Sequence, residues 1–267
     1  MRRLPSLFVS HGSPMMALEP SPARDFLAGL GTRFPRPRAI LVVSAHHDAA
    51  YQGGRATVTA SPAPPTIHDF GGFPDELFAM RYPAPGDPGL AERIVGLLGA
   101  HGLAVTADPE RGLDHGAWVP LSLIYPDADL PVVQLSIASN ASPEWHHSLG
   151  QALAPLCNEG VLIIGSGSIT HNLRALFSSR LPIDAPAPGM GHRLHRLDRR
   201  PDEGGRGRRR PARGRACTTR QGQSSDPGPY IAAVRRHWRR HGSPFTAERL
   251  HASTTYGLLG MDVYSFG

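Results

Sequence analysis

AILVVSAHH, residues 39–47, is the stretch that decides the fold. It begins with a nearly unbroken run of aliphatic residues, many of them β-branched, and it ends in two histidines. Runs of this kind are typical of strands buried on both faces, as in a parallel sheet covered by helices. Because side chains alternate along a strand, His46 and His47 are predicted to point to opposite sides, and only one of them can face a site at the strand end.

Four further apolar runs have the same character, and each is followed by a polar or glycine-containing turn. They are SLFVSHG (6–12), ATVTAS (56–61), PVVQLSI (131–137) and VLIIGSG (161–167). Helical patterns begin at Asp87-Pro88 and reach about Ala100, begin at Ser142 and reach about Leu156, and begin at Thr170 as a short helix carrying His171. This alternation predicts a single α/β domain over residues 1–267, with a mainly parallel central sheet flanked by helices and an active site at the carboxyl ends of the strands.

The formal net charge of +6 is unevenly distributed along the chain. Residues 190–242 contain 15 arginines and four acidic residues, whereas the rest contains 13 arginines and 18 acidic residues, and there is no lysine. A nucleic-acid-binding surface needs a basic patch, so it would have to lie wholly within residues 190–242. The remainder is mildly acidic, and we predict no nucleic-acid partner.

The cellular environment is indicated by cysteine usage and by the lengths of the apolar runs. Cys157 and Cys217 are too few for a disulfide framework, which favours a reducing cytoplasm. No apolar run reaches the length of a membrane span, and the short apolar stretch after Arg3 is typical of a first strand rather than of a signal peptide. We therefore predict a cytoplasmic protein that does not associate with membranes.

Four of the 14 histidines stand where a site is expected. His11, His46 and His171 each follow a predicted strand, and His115 lies in the loop LDHGAWVP. Imidazoles that converge at strand ends can bind iron, zinc or copper through a neutral ring nitrogen. The alternative for any one of them is an ordinary hydrogen-bonded histidine. Five other histidines are interpreted as structural or solvated: His68, His101, His146, His147 and His251.

Seven motifs carry a resemblance to a known family. They are HGSPM (11–15), VVSAH (42–46), PPTIHDFGGFP (64–74), YPAPG (82–86), DHGAW (114–118), YPDADLPVVQLSI (125–137) and SGSITHNLR (166–174). Together they resemble the 4,5-DOPA extradiol dioxygenases, which are class III extradiol ring-cleaving dioxygenases. The resemblance extends from about residue 5 to 188 and resumes at about 243–267.

The resemblance implies a non-haem Fe(II) site, with zinc expected in the isolated protein, that acts on a DOPA-like catechol and O2. His11 and His46 match the first two metal ligands of the family. His171 matches a histidine that acts as an acid–base group and is sometimes counted as a ligand itself, so we predict both roles for it. His115 matches a further histidine close to the substrate ring, and we predict a catalytic role for it. The oligomeric state is not predicted.

The family's last ligand, a histidine in a motif like NHPTxEHxLPL, is absent from this sequence. One DNA sequence that can encode residues 223–234 encodes NHPTRDHILPL when it is read one nucleotide later. The same shift turns residues 192–200 into TAFTDWIAA, the sequence of an amphipathic helix. We hypothesise that residues 190–242 are translated out of frame, with the missing histidine encoded across Pro229 and Tyr230. The alternative is a genuine Arg/Gly/Pro-rich insertion, and we predict disorder in either case.

Loss of that ligand predicts sharply reduced metal affinity and little or no ring cleavage. Three other functions remain open. One is a zinc-dependent hydrolase that uses metal-bound water as its nucleophile, although the HExxH motif is missing. Another is a non-enzymatic metal-binding relative. The last is nucleic-acid binding through the arginine-rich segment 190–242, which would weaken steeply with salt.

Overall fold

The computed structural model describes residues 3–51, 55–170, 178, 181–185 and 247–267. Two predictions fall outside these residues: the short helix after Thr170 with its His171, and the disorder of residues 190–242.

The described strands form an eight-stranded sheet and a separate two-stranded ribbon. In chain order they are β1 Ser6–Ser10, β2 Ala39–Asp48, β3 Ala56–Thr59, β4 Val105–Asp108, β5 Val132–Ile137, β6 Val161–Gly167, β7 Ala247–His251, β8 Thr254–Thr255, β9 Leu259–Gly260 and β10 Val263–Phe266. The strand order of the large sheet is β4-β3-β5-β2-β6-β1-β10-β7, and β8 pairs with β9. All five predicted strands are present, and the stretch at residues 39–47 supplies β2 near the middle of the sheet.

The sheet is mixed, with a parallel centre. The β3/β4, β2/β5, β2/β6 and β1/β6 pairs are parallel, whereas the β3/β5, β1/β10 and β7/β10 pairs are antiparallel. The predicted mainly parallel α/β sheet is therefore confirmed. Because β1, β2, β5 and β6 run in the same direction, their carboxyl ends meet at one edge, where ligands bind in folds of this kind.

Five α-helices pack against the sheet in the part of the chain whose elements the structure bounds. They are α1 Pro22–Leu30, α2 Asp75–Ala79, α3 Pro88–Ala100, α4 His115–Ile124 and α5 Pro143–Leu153, with 3-10 turns at Pro14–Ala17, Ala49–Tyr51 and Ala154–Glu159. The helix predicted from Asp87-Pro88 is confirmed, and the carboxylate of Asp87 accepts a hydrogen bond from the N–H of Leu90 at its start (2.9 Å). Among the helices described, none combines the length and the apolar character that crossing a bilayer requires.

The core has two halves, one on each face of the sheet. On β2, Ile40 and Val42 face the half that contains α1 and α4, and Ala39 and Leu41 face the half that contains α3 and α5. Burial of β2 on both faces explains its continuous aliphatic run. Among the described residues, the largest fully buried side chain is that of Trp118, which lies on α4.

Candidate active site

Three of the predicted histidines meet at the carboxyl edge of the sheet. His11 follows β1, His46 lies near the end of β2, and His115 is the first residue of α4. Each offers one ring nitrogen, and the three nitrogens lie within 4.8 Å of one another. The Nε2 atoms of His11 and His46 are 3.1 Å apart, and the ring centroids of His46 and His115 are 3.9 Å apart. His11 and His115 are buried, and His46 is partly exposed.

The two adjacent histidines of β2 point to opposite sides, as strand alternation predicts. His46 faces the cluster, whereas the ring of His47 is fully buried and its Nε2 lies 2.8 Å from the hydroxyl of Thr57 on β3. His47 therefore belongs to the packing of the sheet rather than to the site.

His11 is oriented by a relay that begins at a proline inside a helix. Pro120 lies within α4 and has no N–H, so it cannot donate to the carbonyl of Gly116 four residues earlier. The hydroxyl of Ser166 on β6 donates to that carbonyl instead. The same hydroxyl oxygen lies 2.9 Å from Nδ1 of His11 and can accept from it. This arrangement places the proton of His11 on Nδ1 and directs the lone pair of Nε2 into the cluster.

Asp69 plays the corresponding part for the other two rings. Its Oδ1 lies 2.8 Å from Nδ1 of His115, and its Oδ2 lies 3.5 Å from Nδ1 of His46. Burial raises the pKa of Asp69. Hydrogen bonds from His115 and the charges of His115 and His46 lower it by more, so that the net result is a pKa of about 2. The carboxylate is therefore ionised. It accepts a hydrogen bond from Nδ1 of His115 and lies within ion-pairing distance of Nδ1 of His46.

A buried polar network supports the segment before α4. The carboxylate of Asp114 accepts hydrogen bonds from the hydroxyl of Ser44 (2.7 Å) and from the side-chain amide of Gln134 (2.5 Å), and the guanidinium of Arg111 lies 3.3 Å away. Burial raises the pKa of Asp114 above its ordinary value, and the Ser44 hydrogen bond offsets only part of that increase. Since Ser44 lies on β2 and Gln134 on β5, this network fixes the start of α4 relative to the strand ends.

Two glycines permit the close packing of the site. Gly12 follows His11 with a φ of +61°, and a Cβ atom there would lie 2.7 Å from the side chain of Met261. A Cβ atom on Gly116 would lie 2.5 Å from the hydroxyl of Ser44. The glycines of HGSPM and DHGAW therefore let β1 and α4 bring their histidines to the same place.

An aromatic cluster adjoins the histidines. The ring of Phe70 meets that of His115 edge-on at a centroid distance of 5.7 Å, and it also contacts Phe73, Phe78 and Trp118. Phe70 and Phe73 are partly exposed. The site is thus bordered on one side by aromatic carbon, which suits a flat, apolar ring.

The arrangement fits a metal ion. Two nitrogens that share one ion at about 2.1 Å each lie roughly 3.0–3.4 Å apart, and the 3.1 Å separation of His11 and His46 falls within that range. Metal-bound histidines characteristically donate their other ring N–H to a carboxylate or another acceptor. Ser166 and Asp69 supply such acceptors, so the described residues provide three imidazoles suited to iron or zinc.

The predicted site residues have different outcomes. The structure brings His11, His46 and His115 together, and His171 lies outside the described residues. The histidines interpreted as structural include His68, whose Nε2 lies 3.1 Å from the carbonyl of Met80, and it packs in the aromatic cluster.

Sequence reasoning missed Ser166, Asp69, Pro120 and the Asp114 network. The signals were present in HDF, DHGAWVP and GSGS, but nothing in a single sequence shows which acceptor faces which ring.

Comparison with known proteins agrees with this geometry. Residues 5–179 match a family described as the catalytic LigB subunit of aromatic ring-opening dioxygenase. The chain belongs to this family. LigB-type enzymes are oxidoreductases that use a non-haem metal, and the matched region contains all three clustered histidines.

Several curated relatives of this chain carry the name 4,5-DOPA dioxygenase extradiol. The protein from Escherichia coli (strain K12) is 50% identical over 175 residues, covering 65% of this chain and 62% of the relative. The protein from Beta vulgaris is 51% identical over 170 residues, covering 62% of each chain. The LigB-family chain therefore matches somewhat less than two thirds of the length of these relatives.

A solved structure extends the likeness to the fold. The crystal structure of an uncharacterized protein from Escherichia coli K12 aligns with a TM-score of 0.65 and 30% sequence identity. The alignment covers 99% of this chain and 100% of that one.

Proposed function

We propose that this LigB-family chain is built to open the ring of a DOPA-like catechol with O2, beside rather than between the two hydroxyl groups. The observation that carries the proposal is the convergence of His11, His46 and His115, with acceptors placed behind the rings. The relatives named 4,5-DOPA dioxygenase extradiol and the family match support the same reaction class.

The chain's own residues would divide the work as follows. His11 and His46 would hold a ferrous ion through Nε2, and His115 would present a third imidazole to the same space. A bound ferrous ion supplies Lewis-acid and redox chemistry toward catechol and O2. Phe70 would border the place where an aromatic ring lies beside His115.

His171 keeps its proposed role as the group that takes a proton from the catechol and returns it later. An imidazole suits this role because its ordinary pKa lies near neutral pH. We propose iron as the catalytic metal, with zinc in the isolated protein. We also propose that residues 1–267 form one catalytic domain and that the enzyme is cytoplasmic.

The out-of-frame reading of residues 190–242 also remains a proposal. The family match ends at residue 179, before this segment, which is consistent with it. Resequencing the gene across codons 185–245 tests it directly. A corrected DNA sequence that encodes NHPTRDHILPL in frame would support the proposal. If the DNA sequence instead encodes residues 190–242 as they stand, the chain lacks the family's last ligand.

The function is tested with the full chain under anaerobic loading with Fe(II), followed by exposure to air with DOPA. Ring opening beside the hydroxyls gives a yellow product that absorbs visible light. We expect little or no turnover from the chain with the present sequence and a large increase once the reading frame is restored. Failure of the frame-restored chain to consume O2 with any catechol would refute the dioxygenase proposal, and metal-dependent hydrolysis would favour the zinc hydrolase.

A further inference from the structure

Asp69 lies on the connection between β3 and α2, and this connection is fixed to the segment that carries His115. The N–H of Ile67 donates to the carbonyl of Leu113 (2.8 Å), two residues before the histidine. The indole N–H of Trp118 in α4 donates to the carbonyl of Ile67 (2.9 Å). These bonds on the approach to Asp69 hold its carboxylate at a defined place relative to α4.

The two oxygens of Asp69 have different partners. Oδ1 accepts from the backbone N–H of His115 (3.0 Å) as well as from its Nδ1 (2.8 Å), whereas Oδ2 faces Nδ1 of His46 at 3.5 Å. The N-cap residue of α4, Asp114, makes no side-chain capping bond because its carboxylate is engaged elsewhere. Asp69 therefore caps α4 from outside and grips the ring of its first residue at the same time.

We propose that Asp69 is a positioning residue that sets the tautomers of two imidazoles on different elements. It holds the proton of His115 on Nδ1 and favours the same form in His46, so that both rings turn an Nε2 lone pair toward His11. The inference rests on the proposed metal site for its consequence, but the hydrogen bonds that carry it stand on their own.

This role predicts that the conservative variant Asp69→Asn binds zinc more weakly than Asp69→Ala does. In Asp69→Asn, the amide oxygen stays with the two donors of His115, so the amide NH2 must face Nδ1 of His46. An NH2 group donates to that nitrogen and moves the proton of His46 to Nε2, which blocks its lone pair from a metal. In Asp69→Ala, water can take the place of the carboxylate without opposing the ligand form.

The expected result follows from that ordering. Removal of such an acceptor typically weakens metal affinity by about 10–100-fold. We expect Asp69→Ala to lose zinc affinity by that factor and Asp69→Asn to bind more weakly still, although it is the closer match in shape. Asp87→Asn is the control, because Asp87 caps α3 through Leu90 in a similar way but touches none of the three histidines. It should bind zinc within about twofold of the parent chain.

The experiment is a zinc competition titration of the full chain and the three variants, with circular dichroism to confirm folding. It is paired with long-range ¹H–¹⁵N spectra of the imidazoles in the metal-free parent chain. Those spectra should show His115 protonated on Nδ1, assigned by comparison with His115→Ala. This second measurement decides the matter even if the Asp69 variants do not fold.

Three results would overturn the proposal. One is Asp69→Asn binding zinc as tightly as the parent. Another is Asp69→Ala binding more weakly than Asp69→Asn, which is what a purely space-filling role predicts. The third is His115 protonated on Nε2 in the parent chain. A frame-restored chain that binds no zinc and opens no catechol ring would refute the proposed function instead, and the tautomer of His115 would still test Asp69.

Discussion

Replacing Ser166 with alanine removes the link that orients His11. The hydroxyl donates to the carbonyl of Gly116 and lies 2.9 Å from Nδ1 of His11, and both histidine and serine are buried. The variant leaves two buried polar groups without this partner, each at a cost of about 1–3 kcal/mol. Because natural domains are stable by only about 5–15 kcal/mol, the melting temperature should fall by several degrees.

The effect on the metal separates orientation from stability. Without its acceptor, His11 can carry its proton on Nε2, so we expect zinc affinity to fall by about 10–100-fold, or roughly 1.4–2.7 kcal/mol. The matched control is Ser136→Ala, which removes another buried strand hydroxyl that accepts from the N–H of Thr57 (2.9 Å). The control should lose stability but not zinc affinity. Zinc binding by Ser166→Ala within twofold of the parent would refute the orienting role of Ser166.

Four further outcomes are expected. Pro120→Ala restores an N–H that competes with Ser166 for the carbonyl of Gly116. Zinc affinity, measured by titration, should therefore fall several-fold, although α4 gains a hydrogen bond whose effect thermal melting measures. His46→Ala should abolish the zinc binding that the parent chain retains, whereas His47→Ala should lower the melting temperature and leave zinc affinity within twofold. Phe70→Ala should weaken binding of 4-nitrocatechol to the metal-loaded chain by about tenfold, as followed by absorbance, because an aromatic contact is lost. Zinc affinity should fall in acid, by up to tenfold per pH unit for each proton that an imidazole takes up, because only the neutral ring binds the metal.

The Asp69 carboxylate is expected to be less sensitive to acid than zinc binding is. Because the pKa of Asp69 is lowered to about 2, its contribution to stability is fully present above the ordinary aspartate pKa of about 3.9 and is lost only as the pH falls through about 2. Acid should therefore release the metal well before it breaks the Asp69–His115 contact. The stability of the metal-free parent chain and of Asp69→Ala should be measured by denaturant unfolding between pH 5 and 3. A pH dependence of stability centred near pH 4–5 that is present in the parent and absent from Asp69→Ala would contradict this reasoning.

The sequence by itself determined the α/β fold and the order of its principal elements. The aliphatic run of residues 39–47 indicated a strand buried on both faces, and the Asp87-Pro88 pair indicated the start of α3. Strand alternation also assigned His46 and His47 to different sides before any contact was known. These features depend on neighbours in the chain, which a single sequence displays.

Tertiary structure alone decided how the histidines are held. Ser166 and His11 are 155 residues apart in sequence, and Asp69 and His115 are 46 apart, so no local pattern links either pair. The relay to His11 further requires a carbonyl that Pro120 leaves without its helical donor, at the place where β6 passes α4. Hydrogen bonds act only over a few ångströms and in particular directions, so their partners are set by how strands and helices pack rather than by the residue types that each of them carries.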